Sequence, residues 1–233
     1  PIDLTRRPDD PAHPRGRFLF MREEGGELWS LGEAPTRCGS SANLTDAGEN
    51  CLFLMAEQNG FAVEAQVSLA PDEAVEITRL RIVNLEPRAR KLTLASLREW
   101  VLNETGVELR DSAYNALHIG TWYVRSLNAI FAQNRLLKGG ARRHSERRLS
   151  PEIGFHAIGA GADTHIRLIG YEDVKSRFYG MGPIAAPDSL LGLSQPRDPS
   201  DEGLLYGFEP CASLSVEVEI APSGVAEILI LDG

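Results

Sequence analysis

Phe61-Ala62-Val63-Glu64-Ala65-Gln66-Val67-Ser68-Leu69 places apolar side chains at every second position, with Glu64, Gln66 and Ser68 between them. A strand sends successive side chains to opposite faces, so this period of two reads as a half-buried β-strand with Phe61, Val63, Ala65, Val67 and Leu69 on the core side. The pattern returns near the far end of the chain, where Leu214, Val216, Val218 and Ile220 alternate with Ser213, Ser215, Glu217 and Glu219. Pro222-Ser223-Gly224 and an apolar run from Val225 to Leu231 follow, which reads as a hairpin of two strands about a turn. Further runs at Arg17 to Met21, Glu27 to Leu31, Cys51 to Glu57, Val75 to Asn84, Ala113 to Ile119, Ile153 to Ile158 and Thr164 to Gly170 lie between Gly, Asn-Gly and Pro-Asp turn signals. Many short strands between turns predict an all-β sandwich or barrel.

Three stretches need more than alternation. In Val75 to Asn84 the apolar phase flips from Val75 and Ile77 to Leu80 and Ile82, which marks either a bulge or a strand covered on both faces. Leu92 to Leu102 also fits a helical face through Leu94, Leu97, Trp100 and Val101, yet is read here as strand. From Met181 to Phe208 four prolines among Asp and Ser predict a long surface loop. The 233 residues, 42% hydrophobic and 24% charged, suit one folded domain over 17–233. Residues 1–16, which begin with Pro1 and carry Pro8, Pro11 and Pro14, read as a linker or the edge of a piece of a larger protein.

A formal charge of -9 argues against nucleic acid as the main partner, since the surface repels phosphate. The sequence shows neither a bilayer-length apolar run nor a secretion signal, which predicts a chain without direct membrane insertion in the cytoplasm. Three widely spaced cysteines, Cys38, Cys51 and Cys211, fit a reducing compartment. No cofactor is expected, because Gly159-Ala160-Gly161 lacks the third glycine and the helix of a dinucleotide site. No metal site is expected either, the nearest approach being a cross-strand meeting of His156 and His165. Glu99, Glu104, Glu108 and Asp111 surround Trp100, and paired carboxylates are the chemistry of glycoside cleavage, although an acidic chain makes such clusters by chance. Lys138, Arg142, Arg143, Arg147 and Arg148 form the strongest local basic feature, suited to docking on an acidic neighbouring domain. On a strand, one of Trp122 and Tyr123 must face the core and the other the outside.

Several segments, in order, are similar to the N-terminal β-domain of glycoside hydrolase family 94. Gly25-Gly26-Glu27-Leu28-Trp29-Ser30 with Pro35 resembles the family's opening motif. Ala70 to Ile77, Arg79 to Asn84 and Leu92 to Leu102, ending in Glu99-Trp100-Val101-Leu102, resemble its longest pattern. Ala129-Ile130-Phe131-Ala132-Gln133-Asn134 and Lys175-Ser176-Arg177-Phe178-Tyr179-Gly180 resemble two later blocks. The likeness covers about Phe18 to Gly233 and is closest to the cyclic β-1,2-glucan synthase branch, with cellobiose and chitobiose phosphorylases as relatives. Ser40 to Cys51 departs from the family, which has a His-Gly-x-Gly-Tyr stretch there.

The resemblance implies an all-β supersandwich of two large antiparallel sheets, of the galactose mutarotase type. It also implies a non-catalytic β-domain of a larger enzyme that packs on a catalytic (α/α) barrel of the same polypeptide. A β-linked glucan or oligosaccharide and a second copy of the chain are the remaining partners, and the parent enzyme would be attached to the inner membrane. Interdomain docking falls to Arg142, Arg143, Arg147 and Arg148. The alternative is a stand-alone sugar-binding module, with Trp122 or Tyr123 against the ring and Arg125 and Asn134 donating hydrogen bonds. A third reading, an aldose epimerase, would need His118 and His156 to act with Glu172.

Overall fold

The computed structural model describes residues 2–6, 15–37, 43–46, 51–135, 153–200, 203–206 and 209–233. Arg90–Asn103 (β8) is the strand on which one sheet is built. It pairs with Pro210–Ile220 (β14) on one side and with Arg17–Glu23 (β2) and Asp3–Thr5 (β1) on the other. Ile166–Val174 (β12) and Trp29–Ser30 (β3) complete this six-stranded sheet. Positions 94–103 of β8 are all buried or nearly so, because both faces of the strand are covered. That double burial removes the alternation and explains why the sequence there also fitted a helix.

The second sheet has nine strands, all antiparallel. In spatial order they are Leu204–Tyr206 (β13), Ile119–Val124 (β9), Ala129–Asn134 (β10), Ile153–Ala160 (β11), Val225–Asp232 (β15), Glu76–Asn84 (β7), Phe61–Leu69 (β6), Cys51–Gln58 (β5) and Asn43–Asp46 (β4). The inner faces of the two sheets form one core containing Leu92, Leu94 and Trp100 from β8, Leu80 and Ile82 from β7, and Ile228 and Ile230 from β15. The structure is thus the expected supersandwich. A second, smaller cluster lies on the outer face of the six-stranded sheet. There Phe18, Phe20, Leu97 and Cys211 are covered by Phe178 and Tyr179 of the short helix Lys175–Tyr179 (α3), and Leu190 of Asp188–Leu191 (α4) packs against them.

Several expectations change. Ala113 to Ile119 is not a strand: Ser112–Ala116 is a helix (α2), started by Asp111, whose carboxylate accepts from the Tyr114 amide at 3.0 Å. It follows the helix Thr105–Arg110 (α1). Asp3–Thr5, read as linker, is a paired strand of the sandwich. Glu27 to Leu31 shortens to the two residues of β3. The proline-rich stretch from Met181 to Phe208 is largely irregular but contains α4, β13 and a bridge between Tyr171 and Arg197. β7 has no bulge: it pairs in unbroken register on both sides, with Ile77 on the outer face and Leu80 and Ile82 in the core. The Ser40 to Cys51 departure falls mostly outside the described residues, as does the basic segment 138–148.

The largest correction concerns the closing pair of strands. β14 and β15 do not pair: each has both edges occupied by other strands, β12 and β8 for the first, β11 and β7 for the second. The turn between them, with Ser223 at φ 54° and the Gly224 amide on Ala221 O at 2.9 Å, swings the chain from one sheet to the other. The β7 to β8 connection makes the same crossing at the same corner, and Asn84 ties the two together. Its side-chain amide donates to Arg88 O (2.7 Å), Ile220 O (3.2 Å) and Ala221 O (3.0 Å), its carbonyl accepts from the Glu86 amide (3.0 Å), and it is wholly buried. Asn84→Ala removes the side-chain amide that these carbonyls share and leaves Ala221 O with the Gly224 amide, so urea unfolding should show a loss of about 2–4 kcal/mol, whereas a change within 0.5 kcal/mol would deny Asn84 this role.

Candidate functional site

The antiparallel pair β9 and β10 carries the residues expected to meet a sugar, and the pleat divides them. Tyr123 points inward, 3% exposed, and stacks on Tyr171 with ring centroids 4.3 Å apart. Asn134 is also in the core, its amide donating to Leu102 O at 3.1 Å and to Asn115 Oδ1 at 2.8 Å. Both are therefore packing residues, which corrects the expectation that they reach a ligand. Arg125 is exposed on a single 3₁₀ turn, Arg125–Leu127, and Trp122 is half-buried on the outer face. The four are not brought together.

What the outer face does assemble is an aromatic ladder. Leu204, Trp122, Phe131 and Phe155 take matching positions on β13, β9, β10 and β11. Trp122 and Phe131 are nearly parallel, 15° between planes and 5.8 Å between centroids, and Phe155 lies 6.2 Å beyond Phe131. Leu204 and Ile153 at its margins are 52% and 50% exposed. Trp122 and Phe131 thus lie side by side, and Phe155 is tilted 40° to Phe131.

The acidic cluster around Trp100 is likewise divided. Arg6 joins Glu108 (2.6 Å) and Glu99 (3.5 Å), and Lys175 lies 3.4 Å from the other oxygen of Glu99. Glu108 also accepts from the buried Asn115 at 3.0 Å. Asp111 is spent on capping α2, and Glu104 is exposed. Of these carboxylates, Glu99 and Glu108 are thus held by cations and Asp111 by the helix it caps.

Between the sheets lies a chain of polar groups that the alternation alone did not predict. Ser96 Oγ is 2.6 Å from His156 Nε2, His156 Nδ1 is 2.7 Å from Asp232 Oδ1, and the Arg98 guanidinium donates to Asp232 Oδ2 at 2.8 and 3.0 Å. Burial holds His156 below its ordinary pKa, while the Arg98 and His156 partners outweigh burial and hold Asp232 below its own. A neutral His156 then donates from Nδ1 to the carboxylate and accepts from Ser96 at Nε2. The order of groups is that of an acyl-transfer triad, but Ser96 and His156 have no solvent access, and the chain joins two sheets rather than facing a substrate. His118 is elsewhere, edge-on to Tyr114 at 4.8 Å, so the pair needed for an epimerase is not formed. His156 and His165 do not meet over a metal, since both nitrogens of His156 are engaged by Ser96 and Asp232. Among the described residues no group of three or more His, Cys, Asp or Glu could hold a metal ion, and no helix is long and apolar enough to cross a membrane.

Glu172 is the strained member of the outer face. It is 2% exposed, with one oxygen 3.5 Å from Arg177 Nε and no hydrogen bond to that oxygen, and burial pushes its carboxyl up to about 7. Asp173, the next residue, turns to the other face, where Arg197 donates to both its oxygens at 3.0 and 3.1 Å and Thr121 lies at 3.3 Å.

Two antiparallel sheets packed face to face, a helical cover on one outer face and an aromatic ladder on the other define a β-supersandwich. The chain belongs to glycoside hydrolase family 94: the model described as the glycosyl hydrolase 94 supersandwich domain matches residues 3–233. Similar proteins include a solabiose phosphorylase of Paenibacillus borealis, 26% identical over 177 residues, which are 75% of this chain and 21% of that protein. A cellobionic acid phosphorylase of Neurospora crassa is 32% identical over 83 residues, 35% of this chain and 10% of that one. The matches thus span about a fifth or less of the relatives' length. Among solved structures, a bacterial glucoamylase complexed with acarbose aligns over 93% of this chain and 26% of its own, with 8% identity and a TM-score of 0.48. A polysaccharide lyase aligns over 98% and 28%, with 8% identity and a TM-score of 0.43.

Glu172 and His156 set opposite pH dependences. Folded Glu172 keeps its proton up to about 7, against roughly 4.3 unfolded, so its contribution is favourable in acid and is lost as pH rises through that window. His156, held neutral when folded, makes stability fall as pH drops below about 6.5, where the unfolded state takes up a proton. Glu172→Gln should therefore raise the unfolding free energy at pH 8 by on the order of 2 kcal/mol, with the gain fading toward pH 5. Urea titrations at both pH values check this, and an equal gain at each would contradict the assignment.

Proposed function

We propose that this chain is the non-catalytic β-domain of a larger carbohydrate-active enzyme of the glycoside phosphorylase or cyclic β-1,2-glucan synthase type, and that it docks its catalytic partner through the outer aromatic face. The observation that carries the reading is the ladder Leu204, Trp122, Phe131 and Phe155, half-buried to exposed and four strands wide. A contiguous apolar surface of this kind is characteristic of an interface, and rings already stacked on one another are poorly placed to cover a sugar. Two further facts support it. The matches cover about a fifth of one relative and a tenth of the other, and each relative is named as a phosphorylase. Arg142, Arg143, Arg147 and Arg148 also stand, in the sequence, between the strands that carry Phe131 and Phe155. In this reading they add charge complementarity to the association, and the cleavage or transfer of a β-glucosidic bond belongs to the rest of the enzyme.

The test separates this chain from the remainder of its polypeptide and measures their association. Trp122→Ser with Phe131→Ser should weaken it at least tenfold while leaving the melting temperature within a few degrees, because both side chains lie on the outer face. Reversing the four arginine charges should reduce the association and its salt dependence. Association unchanged by the paired serine substitutions would remove the ladder as the docking face.

A further inference from the structure

The helical cover on the six-stranded sheet hides two polar groups that lack a partner. Glu172 of β12 is 2% exposed, and its Oε2 has no hydrogen-bond partner among the described residues. The hydroxyl of Tyr179, on α3, is buried and equally unbonded among them. Buried polar groups in folded proteins are almost always paired, so closing the cover over both carries a cost that water would relieve. The free oxygen of Glu172 has Arg177 Nε at 3.5 Å, but that side chain belongs to α3 itself and is half exposed.

The cover is a small unit bonded within itself. Gly180, at φ 61°, and the Met181 amide, which donates to Asp188 Oδ2 at 2.8 Å, fold α4 back on α3. Ser189 Oγ donates to Phe178 O at 2.8 Å and joins the two helices again. Toward the sheet, the Lys175 amide donates to Glu209 O at 2.9 Å, Lys175 Nζ lies 3.4 Å from Glu99, and Arg22 donates to Leu190 O at 2.8 Å. The remaining hold is apolar, Phe178 and Tyr179 resting on Phe18, Phe20, Leu97 and Cys211. A unit of this kind opens locally while the strands beneath stay paired.

We propose that α3 and α4 form a pH-dependent lid, closed over Glu172 while that carboxyl carries its proton and released when it is ionised. Closed, burial keeps Glu172 protonated up to about 7; open and hydrated, it titrates near the ordinary value of about 4.3. Opening therefore releases a proton between these limits, so the open fraction grows with pH across the window and levels off above it. The charged and titratable groups around Glu172 are Arg177, Lys175 and Tyr179 of α3, Asp173 of its own strand, Arg197 of the segment bridged to β12, Cys211 of β14 and Glu99 of β8. Asp173 is paired with Arg197, and Glu99 with Arg6 and Lys175, which leaves Glu172 the least compensated carboxyl of the group. Tyr179 and Cys211 stay protonated, because burial pushes both up. An open lid uncovers Phe20, Leu97 and the Cys211 thiol, all buried when it is shut.

Cys211 reports the lid directly. With Cys38→Ser and Cys51→Ser it is the sole thiol of the chain. Its reaction with dithiodipyridine, which forms a mixed disulfide and releases one thiopyridone, is followed from pH 5 to pH 8 where the rate stays proportional to reagent. Dividing each rate by that of the urea-unfolded chain at the same pH removes the titration of the thiol itself. The ratio should rise about tenfold per pH unit up to about pH 7 and level off above it. Glu172→Gln should hold the ratio at its acid value throughout, at least tenfold below the parent at pH 8, whereas a variant that failed to fold would react faster. Arg177→Gln should carry the rise to higher pH. Below the unfolding transition the rate should depend on urea far less steeply than global unfolding does, as a local opening requires. A ratio that ignores pH, a rise that survives Glu172→Gln, or a urea slope equal to the global one would overturn the lid.

Discussion

The two sheets are joined by a charge that cannot stand alone. Arg98 on β8 reaches into the space between the sheets, and an unpaired guanidinium there would cost several kcal/mol. Asp232 on β15 supplies the counter-charge, His156 on β11 takes the carboxylate's second oxygen, and Ser96 on β8 closes the chain. Three strands from two sheets are thereby fixed in register, because a slip of one residue would turn each of these side chains to the opposite face and leave the others unpaired. Apolar packing around them is not directional; this chain of bonds is. It selects one alignment of the sheets from those the hydrophobic surfaces would tolerate.

That arrangement also explains the division of labour on the outside. Ser96, His156 and Asp232 are consumed between the sheets, and Glu99 and Glu108 are held by Arg6 and Lys175. The two outer faces of the domain then differ. The six-stranded sheet is covered by its own helices over Phe20, Leu97 and Phe178, while the nine-stranded sheet carries the ladder from Leu204 to Phe155. Glu172, buried under the helical cover without a hydrogen bond for one oxygen, marks where that cover is least favourable.

Much of the fold was legible because a period of two survives wherever one face of a strand is wet. Phe61 to Leu69 and Leu214 to Ile220 show this directly, and the family resemblance supplied the supersandwich. Alternation identifies a strand but not the sheet it joins, so Leu214 to Ile220 and Val225 to Leu231 looked like a hairpin when the turn between them is a crossing. Over Ala113 to Ile119 the run was too short to separate a strand from a helix, and the Asp111 cap decided it. The site was less readable. Trp122 and Tyr123 had to face opposite ways, yet nothing local said which was inside. For Asn134 the signal existed: it continues the core phase of Ile130 and Ala132 on β10. Ser96, His156 and Asp232 likewise occupy apolar phases of their strands, and a polar residue in that phase on three separate strands is the mark of a buried network.

The central position of β8 has a consequence for synthesis on the ribosome. Its inner edge is completed only by β14, and Ser96 and Leu214 are 118 positions apart. At about 5–20 residues per second, the strand at the middle of the sheet waits roughly 6 to 24 s for its neighbour. During that interval a long, apolar edge has no partner within the chain, which is the condition under which nascent strands pair with one another. The nine-stranded sheet gains β5, β6 and β7 as consecutive neighbours much earlier. Its strand β7 nevertheless waits longer still for its second neighbour, because β15 emerges after β14.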